Sequence, residues 1–555
     1  MRWLAASRSS KSGVTGKNDA KGQAPSSSTM PTTSNVASEH HTPASLPQRQ
    51  QKTVFRALPD DILIFIWELS ISEESESGFT PTYDPNVLLK ISAVCSHWRC
   101  TALSISSLWA YIPSYFSKDL LQLFLTRSAN APLLVDLTCS RFFDDNQHPF
   151  SGGDNLLRRS DIFLAKLKTI FLHANRIRYL SLRLEAYAAS TIDLELAGAN
   201  CKIPGLEGLF FHVSSGLSPW AIPDTEFERI MDASLSLFMK FRNPLLRELY
   251  IDGLRVPPKI INVASLSTLS LRITEPIKSL RNYLMDVLKD GASLVSLSLD
   301  LWCAFISDRD SEPRPDPLHL HHLRQLSLKA PIDQCTLLAK ILPIHQLDEL
   351  HLESRHSFVL WDEVARLLPP SPPGNTVHIE VDEYLIRLEF LEFSERSRNS
   401  TRRRYLFTIE ARHGQESNNN VLLGILNPLR FPNITNVDLC VSSAFDNSSM
   451  RSLLSHFGVL RSLSVRLDRR SHYTFPIEDA VDLDILRSPT SPLKSLQFII
   501  FSNLTVKMPQ ATSFLFGLHA IAHERIKAGL PPLHLEFENC EGLTEDLLRK
   551  CGSKK

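Results

Sequence analysis

A short leucine pattern, L-x-x-L-x-L, recurs along this chain and limits most strongly what it can fold into. It is seen in nine segments: "IRYLSLRL" at 177–184, "LLRELYIDGL" at 245–254, "LSTLSLRI" at 266–273, "LVSLSLDL" at 294–301, "LRQLSLKA" at 323–330, "LDELHLES" at 347–354, "ITNVDLCV" at 434–441, "LRSLSVRL" at 460–467 and "LKSLQFII" at 493–500. The alternation that ends each segment is typical of a β-strand. Helical stretches such as "FERIMDASLSLFMKF" lie between many of them. Alternating strands and helices, spaced by roughly 20 to 40 residues, predict an elongated α/β array over 116–555 whose strands line one concave face.

The leucines of this pattern are expected to form the core, because each unit can bury its apolar edge only against its neighbours. Any binding function would then belong to the polar positions between them. No aromatic cage or stripe of charge stands out at those positions in the sequence.

Two regions precede the array. Residues 1–52 are mostly Ser, Thr, Ala, Pro, Gly, Lys and Gln. Such a segment cannot bury enough apolar surface to offset its chain entropy, so we predict a disordered tail. Residues 53–115 instead read as short helices.

The first of these helices begins at "LPDDIL". Pro59 suits the first helical position, and Asp60 and Asp61 favour the positive end of the helix. Apolar residues then mark a stripe at Ile62, Leu63, Ile66, Trp67 and Leu69.

The second predicted helix carries Leu88, Ile91, Cys95, Trp98 and Ala102, which step by three or four residues and so share one face. Val94 widens that face, and a short third helix carries Leu108 and Trp109. Three short helices make a very small domain, which gains stability by packing on a partner or on the rest of the chain.

This helical region resembles the F-box domain, in the form common in fungal F-box proteins. The matching residues are "LPDDIL" at 58–63, Ile66, "LLKISAVCSHWR" at 88–99, "LW" at 108–109 and Ile112, with a long insert between Leu69 and Leu88. The resemblance implies docking on a Skp-type adaptor, which joins the chain to a cullin scaffold in a ubiquitin ligase.

Apolar residues of this region are the candidate adaptor contacts, because buried aromatic and aliphatic anchors commonly dominate such interfaces. They are Leu58, Pro59, Ile62, Leu63, Ile66, Val94, Trp98, Leu108 and Trp109. For each of them the alternative is a place in the chain's own core, above all for Trp98, which falls within the predicted helix stripe.

The remainder resembles the leucine-rich-repeat domain that often follows an F-box. The clearest unit is "LHLEFENCEGLTEDLL" at 533–548, in which Cys540 ends the strand and Leu543 opens the next helix. The expected architecture is therefore α+β overall: a small all-α F-box bundle over 53–115, followed by an α/β leucine-rich-repeat-like solenoid over 116–555.

Global composition favours no nucleic-acid or membrane partner. Lys+Arg and Asp+Glu both number 60, so the net charge is zero. The sequence has no apolar run of about 18 residues, so no membrane span is expected. The nine cysteines are scattered without a CxxC, which suits a reducing compartment and predicts a cytoplasmic or nuclear location.

Motifs that would indicate catalysis are missing from the sequence. "HERIK" at 523–527 lacks the second histidine of HExxH, and GxSxG and GxGxxG do not occur in context. "HLHHL" at 319–323 is a weak metal motif, and "RSRNSTRRR" at 396–404 reads as a solvated basic loop, with a nuclear signal or phosphate-binding patch as alternatives. We expect no catalysis, cofactor or metal.

Three functions remain open on the sequence. The first is a substrate-recognition subunit of a Skp-cullin-F-box ubiquitin ligase, in which the repeats bind a target protein. The second is a leucine-rich-repeat interaction scaffold that does not act in ubiquitination. The third is a hydrolase on a large α/β fold, which strand–helix alternation alone would permit.

Overall fold

A computed structural model gives the fold. It describes residues 59–73, 82–83, 85–139, 154–196, 202–214, 224–241, 243–274, 280–301, 318–355, 374–381, 385–391, 404–410, 422–424, 426–427, 429, 431–441, 447–467, 493–503, 510–540 and 543. The chain forms two compact units, Met1–Pro59 and Asp60–Lys555. Only Pro59 of the first unit is described, so the predicted tail at 1–52 lies outside the described residues. The described helices and strands belong to the second unit.

The second unit contains both helices and strands, and helices separate many of the strands along the sequence. The α-helices are α1 (Asp60–Ile71), α2 (Pro85–Val94), α3 (Ser96–Ser104), α4 (Lys118–Arg127), α5 (Asp154–Phe171), α6 (Ala186–Glu195), α7 (Asp224–Lys240), α8 (Leu280–Leu288), α9 (Ile332–Ala339), α10 (Asn447–Ser455) and α11 (Gln510–Lys527). Short 3-10 turns connect several elements, including one at Ser106–Trp109.

Sixteen strands build one open sheet, and a separate two-stranded sheet pairs β1 (Ser72–Glu73) with β2 (Thr82–Tyr83). The large sheet contains β3 (Tyr111–Pro113), β4 (Leu133–Cys139), β5 (Ile177–Glu185), β6 (Gly208–Ser214), β7 (Glu248–Asp252), β8 (Thr268–Arg272), β9 (Ser296–Asp300), β10 (Gln325–Lys329), β11 (Glu349–Arg355), β12 (Thr376–Val381), β13 (Leu385–Leu391), β14 (Arg404–Glu410), β15 (Asn436–Val441), β16 (Ser462–Leu467), β17 (Phe498–Ser502) and β18 (His534–Glu538). Each of the nine leucine segments overlaps one of these strands. The predicted mixed α/β organisation is confirmed.

The register of neighbouring strands places their leucines side by side. Leu326 on β10 lies opposite Leu297 on β9 and Leu350 on β11, and all three are buried. The same alignment continues to Leu269 on β8 and Leu249 on β7. The apolar residues of successive strands therefore form continuous buried rows on one face of the sheet, which we call the leucine face.

Helices cover this leucine face. Phe211, on the leucine face of β6, packs edge-on against Phe238 of α7, with ring centroids 5.6 Å apart. Ile230 and Leu237 on the same side of α7 are also buried. The opposite face of the sheet carries polar and aromatic side chains, and we call it the open face.

Strands β12 to β14 do not follow one another in space as they do in sequence, which the leucine pattern did not predict. The spatial order is β11-β14-β13-β12-β15, and β13 runs antiparallel to both of its neighbours. The segments "VHIEV" and "LIRLEFL" alternate as strands do but lack the leading L-x-x-L, so the leucine pattern does not reveal them.

The second predicted helix is two helices, and the expectation of one continuous stripe was wrong. Cys95 has extended backbone angles (φ −155°, ψ 170°) and separates α2 from α3. Its thiol accepts a hydrogen bond from the backbone N–H of Trp98 at 3.4 Å, so it caps α3. Cys95 is exposed and does not join the core.

Trp109 connects the N-terminal helices to the sheet region. Its indole N–H donates to the carbonyl oxygen of Ala102 at 2.8 Å, and its ring packs edge-on against Phe124 of α4 at 5.0 Å. The guanidinium of Arg127 lies 4.3 Å from the Trp109 ring centroid. Trp109 is fully buried by these contacts.

Gly253, directly after β7, offers a test of this architecture. It has φ +74°, and a Cβ there would overlap the carbonyl oxygen of Val213. Gly253→Ala should lower the free energy of unfolding by more than about 1 kcal/mol. Chemical denaturation of the whole chain measures this change.

The matched control is Gly458→Ala, because a Cβ at Gly458 meets open space. This exposed substitution should change the unfolding free energy by less than about 0.5 kcal/mol. Equal effects of the two substitutions would contradict the close strand-to-strand approach at Gly253.

Candidate functional site

The start of α1 is held against α3. The hydroxyl of Thr101 donates to Asp60 Oδ1 at 3.4 Å, and His97 Nε2 lies 3.4 Å from the same oxygen. These contacts fix the orientation of α1 from its first residue.

The two sides of α1 differ sharply in exposure. Leu63 and Trp67 are 0% and 1% exposed, whereas Ile62, Phe65 and Ile66 are 43%, 56% and 41% exposed. The exposed residues stand at i, i+3 and i+4, so they share one side of the helix. We call them the α1 stripe. Phe65 was not among the predicted contacts, although its spacing from Ile62 was readable in the sequence.

The ends of α2 and α3 add further apolar surface. Val94, the last residue of α2, is 60% exposed. Trp98 is half-buried, with its ring edge-on to Trp67 at 5.5 Å. Arg99 turns back to α2, where its Nε donates to the carbonyl oxygen of Ser92 at 2.9 Å.

The nine predicted contact residues therefore differ in their exposure to solvent. Pro59, Ile62, Ile66 and Val94 are exposed, and Trp98 is half-buried. Leu63, Leu108 and Trp109 are buried within this chain, and Trp109 contacts both α3 and α4. Leu58 lies outside the described residues.

The open face of the sheet carries a second candidate site, a row of alternating charge. It is formed by His212, Asp252, Arg272, Asp300, Lys329 and Glu353, which are register neighbours on β6 to β11. We call it the charged row. The expectation that no stripe of charge would stand out was wrong.

Ion pairs connect members of the charged row. Asp252 Oδ2 lies 2.7 Å from His212 Nδ1 and 3.6 Å from Arg272 Nη1. Arg272 Nε lies 3.4 Å from Asp300, and Lys329 Nζ lies 2.8 Å from Glu353. The sequence signal was the residue directly after the last apolar position of each unit, as in "YID", "SLR", "SLD", "SLK" and "HLE".

Burial governs the electrostatics of this row. Burial, with repulsion by Asp252 and Glu353, raises the pKa of Asp300 despite the opposing charges of Arg272 and Lys329. Outside the charged row, burial on β15 also disfavours the charged form of Asp438. There, hydrogen bonding from His378 and the charges of His378 and Arg466 lower the pKa overall.

Three aromatic side chains lie on the same open face. Tyr179, Phe210 and Tyr250 come from β5, β6 and β7, and the rings of Phe210 and Tyr250 are 6.2 Å apart. Arg183 places its guanidinium 5.3 Å from the Phe210 ring centroid. We call these three residues the aromatic group. No pattern in the sequence predicted it.

A shallow depression of about 260 Å³ lies further along the open face, on β9, β10, β11 and β14. Its lining includes Ser298, Ser327, His351, Arg404 and Leu406. Burial, and then the positive charge of Lys329, lower the pKa of His351 to about 4. The imidazole is therefore neutral at physiological pH.

Although Ser327 and His351 are register neighbours, no hydrogen bond joins them in the described part of the chain. Among the residues that the structure describes, no three His, Cys, Asp or Glu side chains are arranged to hold a metal ion. In the "HLHHL" segment, the exposed His319 and His321 stack at 5.7 Å.

Comparison with known proteins adds no assignment. No protein-family model matches the chain, and no curated protein matches it either. Within the described residues, none of the helices combines the length and apolar character needed to cross a membrane.

The neutral state of His351 predicts a pH dependence. Its pKa is about 4 in the folded chain and near 6.5 in a peptide, so between these values the unfolded chain binds more protons. Stability should therefore fall as the pH drops from about 6.5 toward 4. His351→Gln should remove part of this loss.

Unfolding free energies measured across this pH range, for wild type and variant, check the prediction. The control is His319→Gln, an exposed substitution that should leave the slope unchanged. A His351→Gln slope equal to that of wild type would contradict the proposed environment of this histidine.

Proposed function

We propose that this protein is the substrate-recognition subunit of a Skp-cullin-F-box ubiquitin ligase. In this proposal α1 to α3 form the F-box, which docks on a Skp-type adaptor, and the sheet with its helices is a leucine-rich-repeat-like solenoid that binds a target protein. The chain itself has no catalytic role, and its location is cytoplasmic or nuclear.

The α1 stripe is the observation that carries the proposal. Ile62, Phe65 and Ile66 leave apolar surface uncovered on one side of a helix whose other side is buried in the bundle. Full burial of such a side chain from complete exposure contributes about 1.5 to 3 kcal/mol, so covering each of these half-exposed residues would contribute roughly half of that. Together with the exposed Val94, the stripe offers the kind of apolar anchors that a helical adaptor could bury.

The mechanism would be proximity. Because Trp109 packs against both α3 and α4, the adaptor-binding helices are fixed to the start of the sheet. A target held by the sheet would thus stay at a defined distance from the ligase. Such tethering raises the effective concentration of the target at the ubiquitin donor without any chemistry in this chain.

A repeat scaffold outside ubiquitination is the second candidate. The observation that favours it is the location of the charged row and the aromatic group on β5 to β11. These surfaces require nothing from α1, so they could bind a partner without an adaptor.

Adaptor binding to the full chain tests the proposal. Phe65→Ala removes the most exposed ring of the α1 stripe and should weaken binding by about tenfold or more, because aromatic anchors commonly contribute over 1 kcal/mol. Calorimetry with purified Skp-type adaptor measures the affinity, and circular dichroism verifies that the variant is folded.

Phe516→Ala on α11 is a closely matched control, because Phe516 is 58% exposed and Phe65 is 56% exposed. It should bind the adaptor as wild type does. A folded wild type that does not bind the adaptor, or equal affinities for all three proteins, would exclude the ligase role and favour the scaffold.

A further inference from the structure

The open face between β4 and β11 carries more acidic than basic side chains. Its three central rows hold six acidic side chains, three arginine or lysine side chains and two histidines. The acidic ones are Asp136, Glu248, Asp252, Asp300, Glu349 and Glu353, and the others are Arg183, Arg272, Lys329, His212 and His351. The chain as a whole has zero net charge, so this surface differs from the average of the molecule.

The basic side chains of the face already have partners within it. Arg272 lies between Asp252 and Asp300, Lys329 pairs with Glu353, and Arg183 lies over the ring of Phe210. The excess of acidic side chains is consequently not balanced from within the sheet. A partner that approaches this face would meet net negative charge.

Glu248 is the acidic residue with the most distinctive surroundings. In register it is separated from Tyr179 by Gly208, which contributes no side chain between them. It also lies two positions before Tyr250 on β7, so it shares the open face with the aromatic group. Burial, and then the negative charge of Glu248, raise the pKa of both tyrosines.

No basic side chain of the described residues forms an ion pair with Glu248. Burial, and then repulsion by Glu207, raise the pKa of Glu248. The neighbouring Glu207 is 3.7 Å from Arg178 Nε. A cation placed beside Glu248 would therefore offset the repulsion between Glu248 and Glu207.

We propose that the open face from β4 to β11 docks a lysine- or arginine-rich segment of the target protein, and that Glu248 with Tyr179 and Tyr250 receives one of its cationic side chains. The carboxylate supplies the opposite charge, and the tyrosine rings supply faces on which a cation or its aliphatic stem can pack. Charge complementarity of this kind governs partner choice and association rate. The inference rests on the proposed function only for the partner's role as a ligase target.

Peptide binding to the full chain tests the proposal. The probe is a short fluorescent peptide of alternating lysine and serine, compared with one of alternating glutamate and serine, both at low ionic strength. The lysine peptide should bind more tightly, and added salt should weaken it. Glu248→Gln should weaken lysine-peptide binding about fivefold.

The matched control is Glu228→Gln on α7, which removes the same charge from an exposed helix position. It should leave the affinity unchanged. Tyr250→Leu serves as a second variant, which should also weaken binding, and circular dichroism verifies that each protein is folded. If Glu248→Gln and Glu228→Gln weakened lysine-peptide binding equally, the cause would be the net charge of the protein and not the site at Glu248. That result would overturn the proposal.

Absence of lysine-peptide binding by wild type, or tighter binding of the glutamate peptide, would also overturn it. The adaptor is left out of this assay, so its result is separate from that of the ligase proposal. Failure of adaptor binding with lysine-peptide binding intact would remove the ligase role and leave the docking surface standing.

Discussion

Burial of the leucine face is the interaction on which the rest of the structure depends. Each inward leucine or phenylalanine removed from water contributes about 1.5 to 3 kcal/mol, whereas an exposed ion pair contributes at most about 1 kcal/mol. The apolar rows therefore set the register of the sheet, and the charged row follows from it. A shift by one residue would turn every leucine to solvent.

That register has a direct consequence for function. Because the apolar residues Ile251, Leu271 and Leu299 align on β7 to β9, the residues that follow them align as well. This brings Asp252, Arg272 and Asp300 together on neighbouring strands. A long-range arrangement of charge is thus produced by a local repeat. Helix α7 packs on the leucine face, and the charged row lies on the opposite face of the sheet.

The sequence predicted the repeated elements well because their signal is periodic. Segments with the full leucine pattern, such as "LSTLSLRI", all contain strands, and the stretches between them include α7 and α8. β6 was missed because Phe211 replaces the final leucine, and β12 to β14 lack the leading leucines. β12 and β13 alternate as strands do, but their order and the antiparallel direction of β13 depend on pairing with other strands, which no local pattern contains.

The candidate sites were less predictable for a related reason. Helical spacing suggested that Cys95 and Trp98 belong to one stripe, but the extended backbone at Cys95 starts a new helix and changes the faces of both residues. Trp109 is buried by contacts with α3 and α4, and the different exposures of Leu63 and Phe65 on one helix depend on how that helix packs. The charged row and the aromatic group exist only once the strands are aligned.

The central claim is that α1 and the open face are separate binding surfaces on one fold. Hydrogen–deuterium exchange of the full chain, with and without purified Skp-type adaptor, tests it most directly. We expect the adaptor to slow exchange in α1 and at the end of α2 and to leave exchange in β5 to β11 unchanged. Slower exchange confined to β5 to β11, or none in α1 at saturating adaptor, would contradict it.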